Sequence, residues 1–285
     1  MSDQGLEPAA GPAPGGSGST TGGPGSSAGP AQAGVCASQG GAEQTPRAEP
    51  WRGRAGPLFD RNAAKYDRIN RIITFGGDRR WRHWLAGRVP VAGKRVLDAC
   101  AGTGPMGLEL AARGARVTLL DASAGMLQLA ERRAHAQSLS VQIVVGDLEE
   151  MAAAGGGTRP SVLAAGGFDL VSMAFGLRYF VRPQEALAAL RDTLGPDGRL
   201  LLVDAVCPPQ GLVGRAAGVY FFEVAPRVAT RLAGRRELYD SLTASVRALG
   251  TAERVRGLLR AAGFALLEER TWAGGLVYAV VARPA

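Results

Sequence analysis

The chain has 285 residues, a formal net charge of +8, and hydrophobic residues at 46% of its positions. This length suits one large domain or two small ones. Its basic excess alone does not separate nucleic-acid binding from membrane attraction or a solvated surface. Because the arginines are scattered with few aromatic residues between them, we expect solvated surface first, membrane attraction second, and no nucleic-acid partner. The three cysteines and two histidines lack metal-ligand spacing, so we expect no metal site.

Residues 1–57 are dominated by Gly, Ala, Pro and Ser, with very few large apolar side chains. Such a segment buries too little apolar surface to offset its chain entropy, which predicts a disordered tail. Residues 58–285 then form a single α/β domain. The first basic residue is Arg47, and no apolar run resembles a signal-peptide core. These features favour a cytoplasmic protein, with contact at the inner face of the membrane left open.

The domain begins with two predicted helices and continues as alternating strands and helices. Apolar residues at helical spacing predict a helix over Phe59–Ile73 and a second one carrying Trp81 and Trp84, which together form a helical lid. Apolar runs then predict parallel strands with helices on both faces of the sheet. The strands are expected at 95–99, 116–120, 141–145, 168–173 and 199–204, and the helices at 105–113, 123–136 and 183–194.

The remaining segments are a loop, a turn, an apolar region and a closing pair of strands. Glycines and prolines predict a surface loop over 152–167 and a turn over 195–198. Residues 211–233 are apolar but interrupted by arginines, and are too broken for a transmembrane helix. Helices are expected near 237–249 and 252–262, followed by strands at 264–269 and 276–282.

A glycine loop follows the first strand and predicts a nucleoside site. Gly102 and Gly104, which flank Thr103, let the backbone turn tightly and approach a ligand closely. The spacing Gly102-x-Gly104-x-x-Gly107 also matches a dinucleotide fingerprint. However, Asp98 would face a pyrophosphate with the wrong sign of charge, whereas S-adenosylmethionine carries a sulfonium and an ammonium. The loop therefore favours the methyl donor over NAD.

Two more strands end in an acid on the same side of the predicted sheet. Asp121 follows the second strand and is placed to accept both ribose hydroxyls, while Asp147 follows the third and is placed to accept from the adenine amino group. Helix capping is the ordinary role of a loop aspartate, and it explains one such residue better than three. Asp98, Asp121 and Asp147, hereafter the acidic rim, therefore predict an S-adenosylmethionine site.

Several segments carry a resemblance to a known family. They are Tyr66–Asn70, Val96–Gly104, Phe175–Arg178, Gly195–Leu201 and Tyr239–Val246. With them the chain resembles the class I S-adenosylmethionine-dependent methyltransferases, and specifically the ubiquinone/menaquinone biosynthesis C-methyltransferase family. The resemblance implies a Rossmann-like, seven-stranded, mostly parallel sheet with an antiparallel last strand. It also implies methylation of a ring carbon of a polyprenylated hydroquinone such as demethylmenaquinol. The implied cofactor residues are Asp98, Gly102, Thr103, Gly104, Asp121, Asp147, Leu148 and Ala174.

This chain departs from the family pattern mostly around the acceptor. It has Asp78 where the family usually has His, Ala174 for Ser, Tyr179 for Asn, and Asp204 for Glu. Two alternatives therefore stay open. One is a methyltransferase acting on another small aromatic or secondary metabolite, and the other is a non-catalytic S-adenosylmethionine-binding module.

Two residues are candidates for the chemistry of the acceptor. We expect Arg178 to stabilise the phenolate of the quinol and Tyr66 to hydrogen-bond the same oxygen. Arginine is a poor proton acceptor, so its role is electrostatic. The alternatives are a surface ion pair for Arg178 and a core aromatic for Tyr66. Residues 211–233 are a candidate prenyl-tail entrance and membrane contact, with simple core cover as the alternative. A homodimer is also left open.

Overall fold

The computed structural model describes residues 63–153, 167–233 and 237–285. The predicted disordered tail over 1–57 lies outside the described residues, as does most of the predicted loop over 152–167. Ala152 and Ala153 belong instead to a short helix, which corrects the start of that loop. Among the helices in the described part of the chain, none combines the length and apolar character needed to cross a bilayer.

A single mixed sheet organises the described residues. Its strands are β1 Arg95–Ala99, β2 Arg116–Asp121, β3 Val141–Val145, β4 Phe168–Ala174, β5 Leu194–Ala205, β6 Phe264–Trp272 and β7 Val277–Pro284. They lie in the order β3-β2-β1-β4-β5-β7-β6, and β7 runs antiparallel to both neighbours. This confirms the predicted seven-stranded, mostly parallel sheet. The strand order reverses between β1 and β4, which is where open α/β sheets bind ligands.

Helices precede the sheet and cover its faces. They are α1 Ala63–Ile73, α2 Gly77–Ala86, α3 Pro105–Ala112, α4 Ala124–Ala136, α5 Leu148–Ala153, α6 Pro183–Thr193, α7 Leu212–Val219, α8 Ala225–Ala233, α9 Glu237–Leu249 and α10 Ala252–Ala261. The predicted bounds agree within one or two residues wherever the predicted helix lies wholly within the described residues. A π-helical turn over Tyr220–Val224 joins α7 to α8, so the apolar segment is one interrupted helix.

The start of β5 differs from the prediction. The strand begins at Leu194, five residues before the expected Arg199. Leu194 pairs with Phe168 and Arg199 pairs with Leu170, so the four residues between them oppose a single residue of β4. The predicted turn over 195–198 is therefore a bulge inside the strand, because the ladder resumes on both sides of it.

Alternate residues of each strand supply two separate cores. Leu97 and Val171 pack on one face of the sheet with α6 and α10, while Val96 and Leu170 pack on the other with α2, α3 and α4. Both faces are buried, as expected for a parallel sheet covered by helices. The carboxyl ends of the strands are then the edge of the sheet where loops can build a site.

Candidate functional site

A cavity of about 690 Å³ lies at the carboxyl ends of the strands, and it is lined partly by α1, α2 and the π-helical turn. This volume is typical of a small-molecule site. The cavity brings together most of the predicted site residues, namely Asp98, Gly102, Thr103, Asp121, Asp147, Leu148, Ala174 and Arg178. Gly104 belongs to the turn beneath the cavity. Tyr66 lies in α1, but its side chain is outside the description, so its role stays a prediction.

The glycine loop is built from left-handed backbone. Cys100, Gly102 and Gly104 have φ values of 56°, 56° and 79°, and Gly104 is the N-cap of α3. These conformations turn the chain sharply from β1 into the helix, which is the reason for glycine at two of the three positions. A Cβ on Gly107 would lie 2.3 Å from Cδ2 of Leu119, so this third glycine allows α3 to pack on the sheet.

Asp98 is fully buried at the end of β1. Its carboxylate accepts hydrogen bonds from the Gly107 N–H at 2.8 Å and from the Ser172 hydroxyl at 2.6 Å. Burial raises the pKa of Asp98 to about 7 although both bonds favour the ionised form. A cation bound nearby would favour the ionised form as well, since opposite charge lowers the pKa of an acid. The position is suited to a positively charged ligand.

Asp121 connects β2 to the glycine loop. One carboxylate oxygen accepts from the Gly102 N–H at 2.8 Å and the other from the Ser123 N–H at 2.8 Å. Asp121 also lines the cavity at the end of β2, where a carboxylate can accept hydrogen bonds from the hydroxyls of a ribose. Asp121 therefore fits the role predicted for it while also holding the loop in place.

Asp147 caps the short helix α5. Its Oδ1 accepts from the Glu149 N–H at 2.8 Å and from the Glu150 N–H at 3.4 Å. The capping alternative therefore describes part of what this residue does. Asp147 nevertheless lines the cavity, next to the buried Leu148, so the cap also fixes the carboxylate at the site.

Thr103 ties the glycine loop to the helices around it. Its hydroxyl donates to the carboxylate of Asp67 in α1 at 2.9 Å. Asp67 forms an ion pair with Arg133 of α4, and Arg133 donates to the Thr103 carbonyl at 3.3 Å. Asp67 lines the cavity and was not among the predicted site residues, although the resemblance includes it in the segment Tyr66–Asn70.

A buried ion pair joins Arg178, which lines the cavity, to Asp204 of β5. Nη1 of Arg178 lies 2.6 Å from Oδ1 of Asp204, and the two side chains are 2% and 0% exposed. The surface ion pair proposed as an alternative for Arg178 is therefore wrong. Burial raises the pKa of Asp204, and the charge and hydrogen bonds of Arg178 oppose that rise. Asp204 was noted only as a departure from the family pattern, because its pairing depends on the β4–β5 register.

Strained backbone and aromatic rings surround this pair. Phe175, directly after β4, has a φ of 65°, and its N–H donates to the Val203 carbonyl at 2.7 Å. The guanidinium carbon of Arg178 lies 4.7 Å from the ring centre of Tyr179 and 5.6 Å from that of Phe175. A non-glycine residue in this conformation is often found at functional sites. This part of the cavity thus combines a cationic plane with aromatic walls.

Two aromatic residues, Phe75 of the lid and Tyr220 of the π-helical turn, connect the lid to the wall of the cavity. The rings of Phe75 and Tyr220 are 5.6 Å apart, and the Tyr220 hydroxyl donates to the Ile73 carbonyl at 2.7 Å. These contacts join the loop between α1 and α2 to the π-helical turn. Within the part of the chain that the structure describes, no cluster of three or more His, Cys, Asp or Glu residues could hold a metal ion.

The site fits S-adenosylmethionine. The glycine loop supplies a tight backbone turn, the acidic rim supplies carboxylates at the ends of three adjacent strands, and the cavity of about 690 Å³ has the size of a small-molecule site. The fold and this site define a class I S-adenosylmethionine-dependent methyltransferase.

Comparison with known proteins identifies the family. Residues 52–282 match the ubiE/COQ5 methyltransferase family, and the chain belongs to it. The chain is 35% identical over 226 residues to the demethylmenaquinone methyltransferase of Clavibacter sepedonicus, covering 79% of this chain and 88% of that protein. It is 32% identical over 232 residues to the ubiquinone/menaquinone biosynthesis C-methyltransferase UbiE of Roseobacter denitrificans, covering 79% and 87%.

Solved structures agree on the fold. A methyltransferase from Aquifex aeolicus, described as SAM dependent, superposes with a TM-score of 0.52 at 16% identity, covering 78% of this chain and 97% of that one. Family membership makes the chain a methyltransferase with S-adenosyl-L-methionine as its methyl donor. The predicted family, enzyme class and donor are confirmed.

Proposed function

We propose that this chain methylates a ring carbon of a polyprenylated hydroquinone, with demethylmenaquinol as the acceptor. The names of its relatives support this acceptor class. The observation that carries the proposal is Arg178, which is held by a buried ion pair with Asp204 and lines the same cavity as the acidic rim. One cavity therefore holds groups suited to a cationic donor and groups suited to a phenolic acceptor.

The acidic rim and its neighbours hold the donor in this proposal. Asp147 accepts from the adenine amino group and Asp121 from the ribose hydroxyls, while Asp98 faces the cationic end. Thr103, Leu148 and Ala174 line the same cavity. S-adenosylmethionine supplies the methyl group from its sulfonium. The protein's task is to align donor and acceptor and to exclude water from between them.

Arg178 acts on the acceptor. A quinol ring carbon becomes a strong nucleophile when a ring hydroxyl loses its proton to solvent, and a nearby guanidinium stabilises the resulting phenolate. After methyl transfer, the methylated ring carbon loses its proton, which restores the aromatic quinol. Asp204 accepts from Nη1 of the guanidinium, and Nη2 lies 3.4 Å from the Tyr179 hydroxyl. A guanidinium presents five N–H donors in a fixed fork, which is suited to an oxygen anion beside these partners. We assign Tyr66 a hydrogen bond to the same oxygen. Arginine is a poor proton acceptor, so Arg178 acts through its charge and its hydrogen bonds.

An exposed face of the α7–α8 segment is our candidate for membrane contact. Leu212, Val219, Val224 and Val228 are exposed large hydrophobics. Leu212 and Val219 are seven residues apart, Val219 and Val224 are separated by the π-helical turn, and Val224 and Val228 are four residues apart. All four side chains therefore lie on one face of the segment. Exposed Arg215, Arg227 and Arg231 lie on the same segment. Apolar side chains flanked by arginines suit an anionic bilayer.

This face adjoins the cavity mouth. Tyr220 contacts Phe75, whose side chain is 82% exposed, so the apolar surface continues onto the lid. We propose that the prenyl tail reaches the cavity here. Sedimentation with anionic vesicles should recover the wild-type protein with the lipid, and Val219→Ser/Val224→Ser should weaken that recovery. A second copy of the chain is the competing occupant, and a stable dimer lost in the same variant would overturn the membrane assignment.

Two experiments test the acceptor and the role of Arg178. Mass spectrometry of quinones from cells lacking the gene should show accumulation of the demethylated quinone, and an unchanged quinone pool would refute the proposal. With purified protein at saturating donor, Arg178→Lys should lower turnover on demethylmenaquinol, because lysine lacks the planar fork. Turnover within a factor of two of wild type would remove Arg178 from the chemistry.

A further inference from the structure

The amino-acid end of the donor carries an ammonium and a carboxylate, and the acidic rim suits only the ammonium. A carboxylate in a partly buried site needs hydrogen-bond donors, and a guanidinium provides the strongest match. Among the described residues that line the cavity, two are cationic, Arg82 and Arg178. The donor carboxylate therefore has two charged candidates on this surface.

Strand order places the carboxylate of the donor near β1 and β4. Neighbouring strands are about 4.8 Å apart, so a ligand crossing the ends of β3 and β2 continues over β1 and then β4. With the adenine at Asp147 and the ribose at Asp121, the amino-acid end falls beside Asp98. Arg178 lies further on, where Asp204 at the end of β5 binds it. It is better placed for the acceptor.

Arg82 of α2 lies over the strand ends that the amino-acid portion would occupy. Its guanidinium carbon is 5.2 Å from the ring centre of Phe175, the residue directly after β4. Its positive charge opposes the rise that burial causes in the pKa of Asp98, so Arg82 is near enough to interact with that carboxyl group. The side chain of Arg82 is only 11% exposed.

Asp78 fixes the orientation of that guanidinium. Its Oδ2 lies 2.7 Å from Nη1 of Arg82, one turn along the same helix, and its Oδ1 accepts from the Thr74 hydroxyl at 3.2 Å. One edge of the guanidinium is thereby held, and the group lines the cavity. We propose that Arg82 binds the α-carboxylate of the methyl donor, with Asp78 as its positioning residue and Asp98 facing the ammonium.

This inference rests on the donor placement proposed above. Binding of two ligands distinguishes a failure of the inference from a failure of that placement. S-adenosylhomocysteine carries the amino-acid portion, whereas 5′-methylthioadenosine keeps the adenosine and a thioether but lacks it. Isothermal titration of both ligands would be carried out with wild type, Arg82→Gln and the double variant Arg82→Gln/Asp78→Asn. The double variant removes the carboxylate that Arg82→Gln alone would leave without its ion-pair partner. Arg79→Gln is the matched control because Arg79 is an exposed arginine on the same helix.

We expect Arg82→Gln and the double variant to bind S-adenosylhomocysteine about 10- to 100-fold more weakly, the loss typical of a charge-assisted hydrogen bond. Their affinity for 5′-methylthioadenosine should stay within a factor of two of wild type, as should both affinities of Arg79→Gln. Equal losses for the two ligands would overturn the inference, because Arg82 would then act on site structure. No loss for either would show that the carboxylate is held by other donors. Failure of wild type to bind either ligand would instead refute the donor placement.

Discussion

The buried Asp98 makes stability depend on pH in a direction opposite to that of most aspartates. Its pKa is raised from an ordinary value of 3.8 to about 7, chiefly by burial. Between these two values the folded protein holds a proton at Asp98 that the unfolded chain has released. The contribution of this group to the free energy of unfolding is therefore fully present below about pH 4 and is lost as pH rises through about 7.

The size of the effect follows from the shift. Each pKa unit corresponds to roughly 1.4 kcal/mol, so a shift of about three units amounts to about 4 kcal/mol. Asp98→Asn removes the titration and keeps the shape. Its amide oxygen can still accept from Gly107, and its amide N–H can donate to the Ser172 hydroxyl. Urea unfolding of both proteins at several values between pH 4.5 and pH 8 measures the difference.

We expect the wild type to lose stability relative to Asp98→Asn as pH rises across this window, by about 3 kcal/mol, because about 1 kcal/mol of the full effect is already lost at pH 4.5. Titrations elsewhere in the protein cancel in the comparison, because both proteins share them. If the two unfolding free energies change in parallel with pH, Asp98 is already ionised at pH 5 and the argument from burial is refuted.

Three further variants test packing, the buried pair and the exposed lid. Gly107→Ala places a methyl group against Leu119 and should destabilise the fold by about 1–3 kcal/mol, and an unchanged urea midpoint would contradict this packing. Asp204→Asn should lower the free energy of unfolding by about 3–5 kcal/mol, because it leaves the buried guanidinium of Arg178 without its carboxylate. Adding Arg178→Met should restore most of that stability, and no recovery in the double variant would argue against the pair. Phe75→Asn should weaken binding to anionic vesicles while the unfolding free energy stays within about 0.5 kcal/mol, and unchanged vesicle binding would exclude this residue from the membrane contact.

The sheet and the acidic rim could be predicted because both depend on local pattern. Apolar runs of five or six residues mark the strands, and an acid directly after a parallel strand must lie at the carboxyl edge of the sheet. Asp98, Asp121 and Asp147 therefore meet without any knowledge of packing. The bulge in β5 could not be predicted, since the four residues 195–198 look like an ordinary turn until the register with β4 is known.

The positions of the two ion-paired arginines, Arg82 and Arg178, could not be predicted from local pattern. Arg178 and Asp204 are 26 residues apart and meet only because β4 and β5 are neighbours. Asp78 and Arg82 have helical spacing that predicts a pair, but not that α2 would place the pair inside the cavity. The sequence pattern does not predict the register between distant strands or the packing of a helix on the sheet. These two features determine which arginine side chains line the cavity.

The distribution of charge along the cavity is consistent with the chemistry proposed for it. Methyl transfer from a sulfonium to a phenolate-activated carbon consumes one positive and one negative charge. Surroundings that stabilise the separated charges too strongly would raise the barrier. Asp204 neutralises most of the field of Arg178, so the acceptor end offers hydrogen-bond donors without a full unpaired positive charge. The hydrogen bonds that Asp98 accepts from the Gly107 N–H and the Ser172 hydroxyl likewise moderate the negative field at the donor end. The cavity can thus orient both reactants while holding their charges weakly enough for them to cancel in the reaction.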